Sequence, residues 1–188
     1  SPTTQEKVEE AYNKLVEMGF KVIMAESCYS KYGYLAGIDK LRAEDLNNMF
    51  RNKEVNGIIC LRGGYGTQRI LDLLDYNLIK NNPKVFVGYS DITALHIAIN
   101  QLSNLVTFHG PMAASDLIGD ISEFSMDSLY NSILYEEFKP SIKNPSEELI
   151  TINGGVAEGQ IIGGNLSLIA STIGTPYEID TKGKILFI

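Results

Sequence analysis

Hydrophobic residues recur at helical spacing in some stretches of the chain and form short continuous runs in others. This pattern predicts alternating helices and strands. Helical spacing predicts helices from Thr3 or Thr4 to Gly19, over 38–52, after Thr67, over 91–102 and over 124–134. Short apolar runs predict strands over 20–25, 55–61, 85–87 and 105–108. The run at 57–61 is apolar throughout, as is typical of parallel strands covered on both faces. The pattern therefore predicts an α/β fold built on a parallel sheet.

The pattern changes near residue 138. Residues 136–148 are rich in proline, serine, asparagine and charge, which indicates a linker over 139–148. Beyond it, short apolar runs predict strands over 149–152, 156–162, 179–180 and 184–188, with a short helix opened by Gly163-Gly164. We therefore expect an α/β domain over 1–138 and the incomplete start of a β-rich C-terminal domain over 149–188. With no strand before its first helix and an apolar run at its end, the chain is expected to be a fragment.

Composition narrows the function classes. The net charge of −7 disfavours a nucleic-acid or anionic-membrane partner. No apolar run approaches the roughly 20 residues that a membrane helix needs, and no signal peptide is visible. Cys28 and Cys60 match no metal-ligand spacing, which favours a reduced, cytoplasmic setting. With only two histidines, the sequence predicts no metal site and no cofactor.

The candidate chemistry begins at Ser90. It lies between a short strand, 84–87, and a helix whose apolar residues start at Ile92. A serine on a tight strand-to-helix turn exposes its hydroxyl beside the free amides of a helix N-terminus, as nucleophilic serines do. Serine is also a preferred N-cap residue, so capping is the alternative for this position taken alone.

Two neighbouring strand ends strengthen the catalytic interpretation. Arg62-Gly63-Gly64-Tyr65-Gly66 follows the second predicted strand, and its glycines can form a backbone nest for an anion or oxyanion. His109-Gly110 follows the fourth predicted strand. Because the carboxyl ends of parallel strands line one crevice, we expect both segments to lie near Ser90. Packing alone remains the alternative for the glycine turn, for His96 and for the loop 27–37, whose other interpretation is a lid.

Four motifs resemble the L,D-carboxypeptidase family of serine peptidases, which includes the muramoyltetrapeptide carboxypeptidases and the microcin C immunity peptidases. They are Arg62-Gly63-Gly64-Tyr65-Gly66, Gly88-Tyr89-Ser90-Asp91, His109-Gly110-Pro111-Met112 and Gly163-Gly164-Asn165-Leu166. The resemblance extends over nearly the whole chain. It implies a Ser-Glu-His triad, no metal, and a cytoplasmic homodimer that removes the terminal D-alanine from murein tetrapeptide.

The resemblance assigns roles to particular residues. Ser90 matches the nucleophile, and the backbone amides of Asp91 and Gly64 match the oxyanion hole. The matching Glu and His are expected beyond residue 188, so the chain alone is expected to be inactive. Among substrate-binding candidates, Arg62 or the amides of the glycine turn are suited to the substrate carboxylate. The full set of substrate-binding candidates is Arg62, Gly63, Tyr65 and His109.

Two other functions remain open at this point. One is an immunity-type serine amidase that cleaves a peptidyl-nucleotide with the same triad. The other is a non-catalytic module of flavodoxin-like or glutamine-amidotransferase-like shape, with Ser90 as a helix cap. A lipase or esterase is disfavoured because Ile92 stands where the Gly-x-Ser-x-Gly elbow requires glycine.

Overall fold

A computed structural model describes residues 1–134 and 150–188. The α-helices are α1 (Gln5–Glu17), α2 (Asp39–Arg51), α3 (Tyr76–Asn81), α4 (Thr93–Ser103), α5 (Glu123–Ile133) and α6 (Leu166–Ser171). The strands are β1 (Gly57–Ile59), β2 (Val85–Gly88), β3 (Phe108–His109), β4 (Ile161–Gly163) and β5 (Ile185–Phe187). Short 3₁₀ helices cover Glu26–Cys28, Gln68–Leu73 and Ser90–Ile92, and a π-helix covers Ala113–Leu117.

Strands β1, β2 and β3 form a parallel sheet with β2 in the middle. Phe86 and Val87 are consecutive in β2, so their side chains point to opposite faces of the sheet. Both side chains are fully buried. Phe86 packs in a core with residues of α2, α3 and α4, whereas Val87 packs in a second core with α1, the π-helix and α5. The sheet is thus covered on both faces, which confirms the predicted α/β fold.

The helix boundaries follow their capping residues. The Thr4 side chain accepts from the Lys7 amide at the start of α1, and Ser122 caps α5 in the same way. Asn104 ends α4 in the left-handed conformation, with φ of +52°. None of the helices in the described ranges is long and apolar enough to cross a membrane.

The predicted strand over 20–25 does not form. These residues make no strand pairing in the described ranges, although their sequence is rich in apolar and β-branched residues. A cavity of about 450 Å³ lies beside them and β1, lined by Phe20, Val22, Gly57 and Ile59 among others. In the described ranges, residues 21–24 make no backbone hydrogen bond, and only the ends of the segment do so: the Phe20 amide donates to the Leu15 carbonyl, and the Ala25 carbonyl accepts from the Cys28 amide.

The part after residue 149 contains less β-structure than predicted. Strands β4 and β5 pair in parallel, but 150–152 and 179–180 form no strand, and the predicted strand over 156–162 is reduced to β4. Val156 and Ile152 are fully exposed, so their apolar side chains have no core to enter here. Residue 149, the predicted linker 139–148 and the end of the first predicted domain, 135–138, lie outside the described residues.

This C-terminal part contacts α4 through a glycine. The Asn165 amide donates to Thr93 Oγ1 at 3.0 Å, and the Gly164 amide donates to the Phe187 carbonyl at 3.1 Å. Gly164 has φ of +134°, and a Cβ there would lie 2.6 Å from Thr93 Oγ1. Only glycine therefore permits this close approach beside the start of α4.

Candidate active site

Ser90 lies on a sharp turn between β2 and α4. Its φ is +61°, a left-handed backbone that a residue with a side chain rarely adopts. Such a conformation costs on the order of 1–3 kcal/mol and persists only where the surroundings impose it. The turn has the shape expected of a nucleophile elbow, with the serine at the carboxyl end of the central strand.

The hydroxyl of Ser90 does not cap the helix. The residue before the 3₁₀ helix is Tyr89 and the residue before α4 is Ile92, and neither position has a side-chain cap bond. Within the described ranges, Ser90 Oγ takes part in no hydrogen bond. The structure therefore gives no support to capping, and the hydroxyl is available to a base or substrate.

The glycine loop, residues 62–66, lies against this serine. A Cβ on Gly63 would stand 3.3 Å from Ser90 Cβ and 3.5 Å from Ser90 Oγ, so glycine leaves the hydroxyl uncovered. Gly64 has φ of +116°, which favours glycine there. In the described part of the chain, neither the Gly64 nor the Asp91 backbone amide donates a hydrogen bond. Both amides are therefore free to donate hydrogen bonds to an oxyanion.

Three hydrogen bonds anchor the residues just before Ser90. The Gly88 carbonyl accepts from His96 Nε2 at 2.8 Å and from the Gly110 amide at 3.1 Å. The Tyr89 hydroxyl donates to Asp116 Oδ1 at 3.1 Å. Burial, followed by this bond, raises the pKa of Tyr89 and keeps the phenol protonated as a donor. These anchors hold the elbow in its unfavourable backbone conformation.

His96 has no capacity to act as the base for Ser90. Its Nε2 bonds the Gly88 carbonyl, and its Nδ1 bonds Thr107 Oγ1 at 2.8 Å. Because a carbonyl only accepts, Nε2 carries the proton and Nδ1 accepts from the threonine hydroxyl. Burial lowers the pKa of His96 to about 4, so the ring is neutral at physiological pH.

The remaining substrate-binding candidates lie around the glycine loop. Arg62 Nη1 donates to the Pro2 carbonyl at 3.1 Å, and the Tyr65 amide donates to Ser1 Oγ at 3.2 Å. The Tyr65 ring lies 5.7 Å from the Tyr34 ring, centroid to centroid, so the loop 27–37 contacts the glycine loop. This contact places the predicted lid segment beside the site, whereas its closure over Ser90 stays a prediction.

His109 lies at the end of β3, in register with Gly88 of β2. Its ring packs edge-on against Phe187 of β5 at 5.2 Å and lies 6.0 Å from the Tyr89 ring. Burial lowers the pKa of His109. The structure thus brings the third strand end to the elbow, as the sequence predicts, and adds β5 of the C-terminal part to its surroundings.

Neither cysteine is suited to act as a nucleophile. Burial raises the pKa of both cysteines, that of Cys60 to about 12, so neither forms a thiolate near neutral pH. Both are free thiols. Among the described residues, no cluster of three or more His, Cys, Asp or Glu side chains could hold a metal ion.

Sequence reasoning missed one contact of this site. Thr67, directly after the glycine loop, is buried against Asp91 of the elbow and donates two hydrogen bonds to it. The two residues are 24 positions apart and each is ordinary for a helix start, so no local pattern signals the pairing.

Two protein-family models match the chain. Residues 1–110 match the family model of the LD-carboxypeptidase N-terminal domain, and residues 158–188 match that of the LD-carboxypeptidase C-terminal domain. The chain belongs to the LD-carboxypeptidase family. The "Probable murein peptide carboxypeptidase" of Bacillus subtilis is 44% identical to it over 189 residues, which cover 100% of this chain and 59% of that protein.

Solved structures of the family share the fold. A microcin C7 self-immunity protein, a mutant in complex with adenosine monophosphate, superimposes with a TM-score of 0.85 at 26% identity and covers 100% of this chain and 64% of its own. A muramoyltetrapeptide carboxypeptidase from Oxalobacter formigenes gives a TM-score of 0.79 at 29% identity, over 95% of this chain and 58% of its own. The chain thus spans about six tenths of the length of these family members.

Proposed function

We propose that the chain is part of a serine carboxypeptidase that hydrolyses the L,D bond to the terminal D-alanine of murein tetrapeptide. The observation that carries this proposal is the left-handed Ser90, whose hydroxyl lies against Gly63 and makes no hydrogen bond to the residues that the structure describes. Membership of the LD-carboxypeptidase family and the similarity to the B. subtilis protein support the substrate class.

The described residues have defined parts in this reaction. Ser90 Oγ gives its proton to the base and attacks the carbonyl carbon of the L,D bond, and the Gly64 and Asp91 amides stabilise the oxyanion of the tetrahedral intermediate. D-alanine leaves with a proton from the base, and water then hydrolyses the acyl-enzyme and frees Ser90. Arg62, Gly63, Tyr65 and His109 are the proposed substrate contacts, with Arg62 or the loop amides on the substrate carboxylate.

The acid–base partners are proposed from the family resemblance. A Glu and a His from positions after residue 188 would complete the triad, because His96 is engaged at both nitrogens. We further propose a cytoplasmic protein, supported by its two free thiols, and a homodimer, supported by the resemblance alone. The proposed domain division is 1–138, 139–148 and 149–188.

Replacement of the nucleophile tests this function. In the full-length protein, Ser90→Ala should lower the rate of D-alanine release from murein tetrapeptide by at least about 10³-fold. Ser132→Ala, which removes a hydroxyl that bonds a carbonyl within α5, should retain the wild-type rate. Both variants should keep the wild-type circular dichroism spectrum. Undiminished D-alanine release by Ser90→Ala would refute the assignment.

A second function has one observation in its favour, the 0.85 TM-score to the self-immunity protein bound to adenosine monophosphate. In this alternative the same Ser90 would cleave a peptidyl-nucleotide. Hydrolysis of a peptidyl-adenylate analogue by the full-length protein, without action on murein tetrapeptide, would favour the amidase. Failure of a fluorophosphonate to label Ser90 would instead favour a non-catalytic binding module.

A further inference from the structure

Two buried residues join the glycine loop to the nucleophile elbow. The Thr67 amide donates to Asp91 Oδ2 at 3.2 Å, and the Thr67 hydroxyl donates to the Asp91 backbone carbonyl. Thr67 is 5% exposed and Asp91 is 3% exposed. The pair therefore forms two hydrogen bonds shielded from water, between segments far apart in sequence.

The position of this pair relative to the proposed oxyanion hole is specific. Asp91 supplies one of the two candidate donor amides, and Thr67 is three residues beyond Gly64, which supplies the other. The two amides lie on separate segments, so their separation depends on what connects those segments. Donors of this kind work only when they are held within about 0.5 Å of the required geometry.

The loop has a separate anchor on its other side. Arg42 Nη1 donates to the Gly66 carbonyl at 2.9 Å, and Asp39 pairs with both Arg42 and Arg69. This network fixes the loop to α2 and makes no bond to the elbow. Loss of the Thr67 hydroxyl should consequently leave the loop attached to α2, with only the Thr67 amide bond to Asp91 Oδ2 left to hold its spacing from the elbow.

We propose that Thr67 is a positioning residue that sets the separation of the Gly64 and Asp91 amides. This inference rests on the proposed function, since it assigns Thr67 a part in the same oxyanion hole. A threonine that only fills the core would need its methyl and shape, whereas a positioning threonine needs its hydroxyl. The two roles differ in which substitution restores activity.

The test compares three variants of the full-length protein. Thr67→Val keeps the shape and removes the hydroxyl, and it should lower kcat for D-alanine release about 10- to 100-fold with KM changed less than about twofold. Thr67→Ser keeps the hydroxyl and should recover most of kcat. Thr172→Val is the matched control, because Thr172 is 3% exposed and its hydroxyl donates to the Ile169 carbonyl at 3.0 Å; its kcat should equal that of the wild type.

A second measurement tests the positioning role of Thr67 independently of the proposed substrate. The rate of Ser90 labelling by a fluorophosphonate also depends on the oxyanion hole, so Thr67→Val should slow it while Thr67→Ser and Thr172→Val should not. Wild-type labelling without D-alanine release would overturn the proposed substrate and leave the variant comparison valid. Equal effects of Thr67→Val and Thr67→Ser, a change confined to KM, or an unlabelled wild type would each overturn the positioning role.

Discussion

Acidification should destabilise the protein through His96. In the fold this ring is neutral, 7% exposed and bonded at both nitrogens, and burial lowers its pKa to about 4. In the unfolded chain the ordinary value is about 6.5. Between these values the unfolded state binds the proton more tightly, so folding stability falls as the pH falls from about 6.5 towards 4.

The size of the effect follows from the pKa difference. The difference between a pKa of about 4 in the fold and about 6.5 in the unfolded chain corresponds to roughly 3 kcal/mol when the pH is well below both values. Near pH 5, most of the unfolded histidine is protonated and the folded one is still neutral, which leaves a loss of about 2 kcal/mol from this residue. His109, whose pKa burial also lowers, adds a contribution of the same sign.

Urea unfolding of the full-length protein near pH 7.5 and near pH 5 measures this loss. His96→Gln can still donate an amide hydrogen to the Gly88 carbonyl but has no proton to gain, so its stability should fall by about 2 kcal/mol less than that of the wild type. His109→Gln is the matched control and should still lose the roughly 2 kcal/mol of folding stability near pH 5 that is due to His96. Equal pH dependence in wild type and His96→Gln, or an NMR titration of His96 near 6.5, would refute the argument.

Two further predictions concern glycines. Gly63→Ala should lower kcat/KM for D-alanine release at least about tenfold with little loss of folding stability, because the new Cβ stands 3.5 Å from Ser90 Oγ where substrate must enter. Gly164→Ala should lower the free energy of unfolding by about 2 kcal/mol or more, since its Cβ would lie 2.6 Å from Thr93 Oγ1 on a backbone with positive φ. Steady-state kinetics and urea unfolding of the full-length protein check the two results.

Each glycine variant has a matched control. For Gly63, the control is Gly119→Ala, whose Cβ would meet no atom closer than 3.5 Å and which should retain kcat/KM. For Gly164, the control is Gly154→Ala, whose Cβ would have no atom within 4 Å and which should retain stability. A Gly63→Ala enzyme with wild-type kcat/KM, or a Gly164→Ala protein as stable as its control, would contradict the contacts described.

The sequence predicted those parts of the molecule that depend on local chemistry. Ser90 follows a short apolar strand and precedes a helical pattern, and these neighbours are enough to place it on the turn that the structure shows. The cap at Thr4, one of the two threonines expected to begin the first helix, likewise has its partner within three residues. A sheet covered on both faces was predicted from the apolar run at 57–61, because such a run needs two buried surfaces, and the structure shows this covering most fully at the neighbouring central strand β2.

What the sequence did not predict depends on partners distant along the chain. Residues 20–25 have the composition of a strand, but a strand exists only where a neighbour supplies hydrogen bonds, and none does so in the described ranges. The pairing of Thr67 with Asp91, and of His96 with the Gly88 carbonyl, arises from the crossing of separate segments. Neither residue type nor spacing along the chain shows which distant segments come into contact.

The left-handed backbone at Ser90 sets stability and turnover against each other at one position. Glycine would adopt φ of +61° without the steric cost that serine bears there, so the more stable protein would be the one without the proposed nucleophile. Selection for heat resistance alone should replace Ser90 by glycine, and selection for turnover should retain the serine. With glycine at position 90, the hydrogen bonds at Gly88, Tyr89 and Asp91 would no longer be needed to hold the turn in its left-handed conformation.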